Sequence, residues 1–302
     1  METWIGNLPW FVRKHASATA RTAWGAGPAV PSWNGSEHSA EEPEAPVQIG
    51  ILTKGKPTLG MALASLLLQE MRDISIHIVD TSEKPVIRRD DVVFALRLAF
   101  DREIECTYEY LRGGERVFSL GRLKLLEALR GRHICFADDD VVFASSTLPS
   151  LFQVVRAVDE YGYVAPLCLN AGMPVGVLGQ VTHFGPGGIF YQDEVVRTIL
   201  LEYYSTTTDV LDRKKSISRV WEIAFMTELF EALGRPCFHQ RDNVCYHLDY
   251  SERLNWDLAD SALIGNSLLK VRELVAKHAP KNYPMPATPV MVEHRHRLPT
   301  TQ

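Results

Sequence analysis

Three consecutive carboxylates, Asp138, Asp139 and Asp140, stand between two short apolar runs, Ile134 to Ala137 and Val141 to Phe143. Carboxylate oxygens are hard donors. A group of them can hold a divalent cation, and that cation can in turn hold phosphate. Bare acids in the middle of a buried strand would each cost several kcal/mol. The triplet therefore belongs at the C-terminal end of a strand, facing a crevice, or in a solvated acidic turn.

Composition narrows the chemistry. The chain has 302 residues, 46% hydrophobic and 23% charged, with a net charge of −5. That describes a globular protein with ample core and no general affinity for nucleic acid or acidic membrane surfaces. Cys106, Cys135, Cys168, Cys237 and Cys245 are scattered and form no CxxC pair. Neither a zinc site nor a redox motif is indicated, and an odd number of dispersed thiols fits a cytoplasmic protein. No apolar run approaches the roughly 18 residues of a membrane span. Neither a Walker A loop nor a GxGxxG stretch occurs, which argues against P-loop and dinucleotide enzymes.

The elements that must position the triplet follow from periodicity. Val47 to Thr53, Ile74 to Val79, Ile104 to Tyr110 and Ile134 to Ala137 read as strands. Leu59 to Met71, Asp90 to Phe100 and Arg116 to Arg130 read as the helices between them. Alternating strands and helices predict an α/β fold with a mainly parallel central sheet flanked by helices. Ligands of such sheets bind outside the carboxyl ends of the strands, where Thr53, Asp80 and the triplet would lie. Further on, Leu148 to Tyr161, Glu194 to Tyr204, Arg219 to Leu233 and Asn255 to Lys277 carry helical spacing. Tyr163 to Leu169 and Cys237 to His247 are strand-like. Residues 1–45, rich in Trp, Pro and Gly, read as an arm that packs on the body or on another subunit, giving a homo-oligomer, or as a disordered tail. The expected organisation is this arm, a body over 46–250 with halves meeting near 145, and a C-terminal helix and extended tail over 251–302.

Three stretches together resemble a family 2-type glycosyltransferase with the GT-A, nucleotide-diphospho-sugar transferase-like fold. One is the opening strand, turn and helix, followed by a strand ending in Val79-Asp80-Thr81-Ser82. Another is Gly121-Arg122-Leu123-Lys124-Leu125-Leu126-Glu127-Ala128-Leu129-Arg130-Gly131, which leads into the triplet as the family's helix leads into its DXD motif. The last is Trp221-Glu222-Ile223, then Leu233-Gly234, then His247. Two positions depart from the pattern. Leu123 replaces the family's Asn, and Ile223 replaces the Asp that often serves as general base.

The resemblance implies a metal-dependent, hexosyltransferase-like, inverting enzyme. It would move a sugar from a nucleotide-diphosphate sugar to the hydroxyl of a small-molecule or glycan acceptor. Mn2+ or Mg2+ would be held by Asp139, Asp140 and His247, with Asp138 near the ribose or base. Thr53, Lys54 and Asp80 are candidates for the base and ribose, and Arg122 would face the nucleotide. Asp80 could equally cap the turn after it. Gly187 and Gly188 resemble a turn that lets backbone approach the donor sugar, and Trp221 could stack on a sugar face. Glu222 is the matched base, with Asp209 and Asp212 as alternatives. Two other functions fit the same pattern: a nucleotidyltransferase acting on a sugar phosphate, and an inactive GT-A domain that binds a glycan or a partner protein.

Overall fold

The β-branched run Val47-Gln48-Ile49-Gly50-Ile51-Leu52-Thr53 forms β1, the strand on which the sheet is centred. The computed structural model describes residues 47–111, 117–158, 161–170, 187–206, 217–248 and 261–280. β1 is followed by α1 (Leu59–Leu67), β2 (Ile74–Asp80), a 3-10 turn (Val86–Arg88), α2 (Asp90–Asp101) and β3 (Glu105–Tyr110). Then come α3 (Val117–Ala128), β4 (His133–Asp138), β5 (Val141–Phe143), α4 (Thr147–Ala157) and β6 (Tyr163–Asn170). The described chain closes with β7 (Ile189–Tyr191), α5 (Glu194–Thr206), α6 (Ile217–Ala232), β8 (Phe238–His247) and α7 (Ser261–His278).

The described strands form one sheet in the order β3-β2-β1-β4-β7-β6-β8-β5. β1 is parallel to β2 and β4, β2 to β3, and β6 to β8. β7 runs antiparallel to both β4 and β6, and β5 runs antiparallel to β8. Two reversals through β7 return β6 and β8 to the direction of β4. Only β5 and β7 oppose the rest, so the sheet is mainly parallel, as the alternation of elements predicted.

Alternation along the strands divides the core in two. Val47, Ile49 and Ile51 of β1 point to one face, with Cys135 and Ala137 of β4, and pack beneath α1, α2 and α4. Ile134 and Phe136 point to the other face, with residues of α3, α5, α6 and α7. Both faces of a parallel sheet are thus covered, as its apolar strands require. Gly50 faces α3 from β1. A Cβ there would lie 2.8 Å from Leu129 Cδ1 and 3.1 Å from Leu125 Cδ2. Glycine lets the helix close on the strand whose end carries the site.

The expected strands and helices are present, with ends shifted by a few residues. The strand at Val141–Phe143 adds to the elements expected from periodicity. It positions His247, as described below. The arm at residues 1–45 and the tail beyond 280 lie outside the described residues. α7 packs on α5 and α6.

Two leucines of α3 test the packing. Leu125 is fully buried, whereas Leu120 is 43% exposed. Leu125→Ala is expected to cost about 2–5 kcal/mol in urea unfolding, and Leu120→Ala within about 0.5 kcal/mol of zero.

Candidate active site

The strand order turns back between β1 and β4. From β1 the chain proceeds outward to β2 and β3, then crosses to β4 on the other side. A crevice forms at such a switch point, outside the carboxyl ends of the strands. Leu52 of β1 is in register with Asp138 of β4, and Thr53 with Asp80 of β2. His247, the last residue of β8, reaches the same rim because β8 runs parallel to β4. β5 completes the connection: Val141 pairs with His247, and Leu248 N donates to Asp140 O at 2.8 Å.

Strand alternation splits the acid triplet. Asp138 follows Phe136 on the α3 side, is partly exposed, and lies 3.9 Å from Arg122 Nη2. Asp139 turns to the opposite side and is buried. Its Oδ2 accepts a 2.7 Å hydrogen bond from Thr53 Oγ1, and its backbone oxygen accepts one from Thr58. Burial pushes the Asp139 carboxyl above the usual range. The Thr53 hydroxyl opposes this, while Asp140 and Asp138 reinforce it.

Asp140 is fully buried. Its Oδ2 receives Lys56 Nζ at 2.5 Å, and its Oδ1 lies 3.3 Å from His247 Nε2. Burial alone would raise this carboxyl. His247 and then Lys56 overcome burial and hold it well below the ordinary value.

Arg122, Glu222 and Tyr204 form a second buried cluster, joining α3, α6 and α5. Arg122 Nε and Nη2 donate to the two oxygens of Glu222 at 2.7 and 2.9 Å. Tyr204 Oη donates to Glu222 Oε1 at 2.5 Å. The guanidinium lies 4.5 Å from the centre of the Phe136 ring, a cation–π distance. Burial would lower the Arg122 pKa, but Glu222, Tyr204 and Asp138 outweigh it and the guanidinium stays charged. Fork-on-carboxylate geometry of this kind is strong and directional.

α6 begins at Ile217, so Glu222 lies in the second turn, too deep for the helix dipole to govern it. Arg122 is paired with Glu222, 100 residues away. No local spacing signals that pairing.

The remaining candidates fall as follows. Asp80 is fully buried. It accepts from Ser82 N and Val86 N, at 2.9 and 2.8 Å, and from Tyr108 Oη at 2.5 Å. It therefore caps its turn, the second of the two roles weighed for it. Lys54 is exposed at the rim. Gly187 and Gly188 are buried. Gly187 has φ +80 and packs against the Phe143 ring, 2.5 Å from where a Cβ would stand. Trp221 falls within α6, its side chain outside what is described. Asp209 and Asp212 lie outside the described residues.

Among the described residues, Asp138, Asp140 and His247 form a group that could hold a cation, each offering an atom within 4.8 Å of the others. Asp138 thus stands in the cluster where Asp139 was expected, because alternation aims Asp139 at Thr53. Asp140 Oδ1 and both ring nitrogens of His247 are buried without a hydrogen-bond partner. Such atoms cost free energy unless something binds them. Two carboxylates and an imidazole form a donor set suited to Mn2+, and less to Mg2+.

Two predictions test these clusters. Glu222→Leu should cost about 3–5 kcal/mol in urea unfolding, because it strands a buried guanidinium; pairing it with Arg122→Met should recover much of that loss. Asp140 is held ionised in the fold, so its contribution to stability is complete above its unfolded pKa, about 3.9. It is lost as pH falls through the depressed folded value. The stability gap between wild type and Asp140→Asn should therefore narrow below about pH 4.

No protein-family model and no curated protein matches this sequence. Solved structures of similar shape include S. aureus TarS and a mannosyltransferase. S. aureus TarS is 13% identical with a TM-score of 0.48, over 78% of this chain and 44% of TarS. TarS 1-349 in complex with UDP-GlcNAc is 13% identical with a TM-score of 0.46, over 76% of this chain and 72% of that one. The mannosyltransferase PcManGT from Pyrobaculum calidifontis, in complex with GDP-Man and Mn2+, is 16% identical with a TM-score of 0.46, over 78% and 75%. This chain thus spans less than half of full-length TarS. At such identities and scores, none of these likenesses assigns a substrate or a residue role.

Proposed function

We propose that this chain is a metal-dependent glycosyltransferase of GT-A type. It would transfer a sugar from a nucleotide-diphosphate sugar to an acceptor hydroxyl, as a hexosyltransferase with inversion. One observation carries the reading. Two acids and a histidine, from β4, the turn after it and the end of β8, converge at the carboxyl-end rim beside the sheet's switch point. Their unpartnered atoms are those a cation would bind. A nucleotidyltransferase would need a glycine-rich basic loop after β1. Thr53-Lys54-Gly55-Lys56 offers a single glycine there, and its turn packs against the triplet.

Asp138, Asp140 and His247 would hold Mn2+ or Mg2+. A bound divalent ion supplies Lewis-acid stabilisation of the charge that builds on a leaving diphosphate. The chain's own residues do the rest. Thr53 orients Asp139, and Asp139 fixes the turn that carries Asp140. Lys54 and Lys56 bring positive charge to the phosphate side of the crevice. Arg122, held rigid by Glu222, sets the position of Asp138 toward the ribose. The backbone of the Gly187-Gly188 turn would approach the donor sugar, and Trp221 would stack on it.

Glu222 is buried and accepts three hydrogen bonds from Arg122 and Tyr204, so both of its oxygens are engaged within the fold. We therefore assign it to positioning, and the acceptor's proton to Asp209 or Asp212 in the segment before α6.

Titration calorimetry with UDP and GDP in the presence of Mn2+ tests the reading. Wild type should bind one of them only with the ion. Asp138→Ala and Asp140→Ala should fold and lose that dependence. Equal nucleotide binding with and without Mn2+ in wild type would remove the basis for the assignment.

A further inference from the structure

Asp140 is shared between two positive charges, one present and one expected. Lys56 Nζ holds Oδ2 at 2.5 Å, whereas Oδ1 lies beside His247 without a hydrogen bond. Lys56 is not a long side chain that happens to fall nearby. The turn that carries it is braced on every side. Gly55 adopts φ +85, and its N–H donates to Thr53 Oγ1 at 2.9 Å. Arg89 Nη1 donates to Gly55 O and Lys56 O at 2.9 and 2.7 Å, and Nη2 to Pro57 O at 3.1 Å. Thr58 Oγ1 then ties the turn to Asp139 O at 3.0 Å. A guanidinium that gathers three successive carbonyls fixes the backbone from which Lys56 reaches Asp140. The Lys56 side chain keeps 21% of its surface exposed, while the carboxylate it reaches is fully buried.

A bare divalent cation entering beside Asp138, Asp140 and His247 would meet this ammonium on the same carboxylate. Like charges repel strongly where water is excluded. A diphosphate arriving with the ion changes the balance, because it brings negative charge to both cations. An ammonium has three donors on a flexible stem and can exchange one oxygen partner for another with little motion. We propose that Lys56 is a resident counter-cation that couples the two ligands. It neutralises Asp140 when the ion is absent, weakens binding of the ion alone, and transfers to a diphosphate oxygen when ion and nucleotide bind together. The inference rests on the cation site proposed above and adds a positioning residue to it. By linkage, the ion and the nucleotide then raise each other's affinity by the same factor.

The test is calorimetric titration of Mn2+ alone, and of UDP or GDP at saturating Mn2+, into wild type, K56M and K56R. K56M should bind Mn2+ alone about tenfold tighter than wild type and the nucleotide about tenfold more weakly, both within the usual range of coupling between sites. K56R, which keeps the charge, should stay within about threefold of wild type for the ion. Thermal melting supplies a second readout. Without ion, K56M should melt below wild type, because Asp140 loses its counter-charge, and saturating Mn2+ should raise its melting point more than that of wild type. If K56M is too unstable to titrate, K56Q replaces it with the same expectations. Wild type that binds Mn2+ while K56M binds it no tighter would overturn the role of Lys56 and leave the cation site standing. Failure of every variant to bind Mn2+, with or without nucleotide, would overturn both.

Discussion

A carboxylate held out of water at the edge of a sheet must be given hydrogen bonds or positive charge, and two adjacent ones must each find their own. Asp139 and Asp140 are in that position. Much of the surrounding architecture answers it. Thr53, at the end of β1, serves Asp139. Lys56, from the braced turn after β1, serves one oxygen of Asp140, and His247 stands beside the other. The parallel sheet brings these groups to one rim. β1 and β4 are direct neighbours, and β8 reaches the same edge through the double reversal at β7. What is left unsatisfied, one oxygen and two ring nitrogens, belongs to a group of side chains that could hold a cation.

The Arg122–Glu222–Tyr204 cluster plays a different part. It ties together three helices on the far face of the sheet and lies directly against Phe136, two residues before Asp138. A buried ion pair adds little net stability when its desolvation is counted. Its strong directionality suits a role in fixing where α3 meets β4, and so where Asp138 faces. The same packing needs Gly50, whose missing side chain lets α3 approach β1. Stability and site geometry therefore meet in the same few residues.

The sequence disclosed what depends on local pattern. Apolar periodicity placed the strands and helices, and three acids at the end of a short apolar run marked the rim. It disclosed less where contact depends on distant pairing. Nothing near Arg122 announces Glu222. Val141–Phe143 is too short to read as a strand, so the pairing that places His247 beside Asp140 could not be foreseen from spacing. The family resemblance implies Asp139 and Asp140 as metal donors within a triplet that is uniform in sequence. Alternation at the end of β4 makes it non-uniform, sending Asp138 toward α3 and Asp139 toward Thr53. Asp80 was a candidate for the base and ribose, with capping as the alternative, and Tyr108, supplied by the neighbouring strand, was the partner that local inspection could not reveal.

The most direct measurement is anomalous diffraction at the manganese edge, from crystals grown with Mn2+ and a nucleoside diphosphate. The account predicts a single strong peak bonded to Asp138, Asp140 and His247, with Asp139 still turned to Thr53 and the diphosphate on the same ion. A peak elsewhere, or none while the nucleotide is bound at the rim, would contradict it.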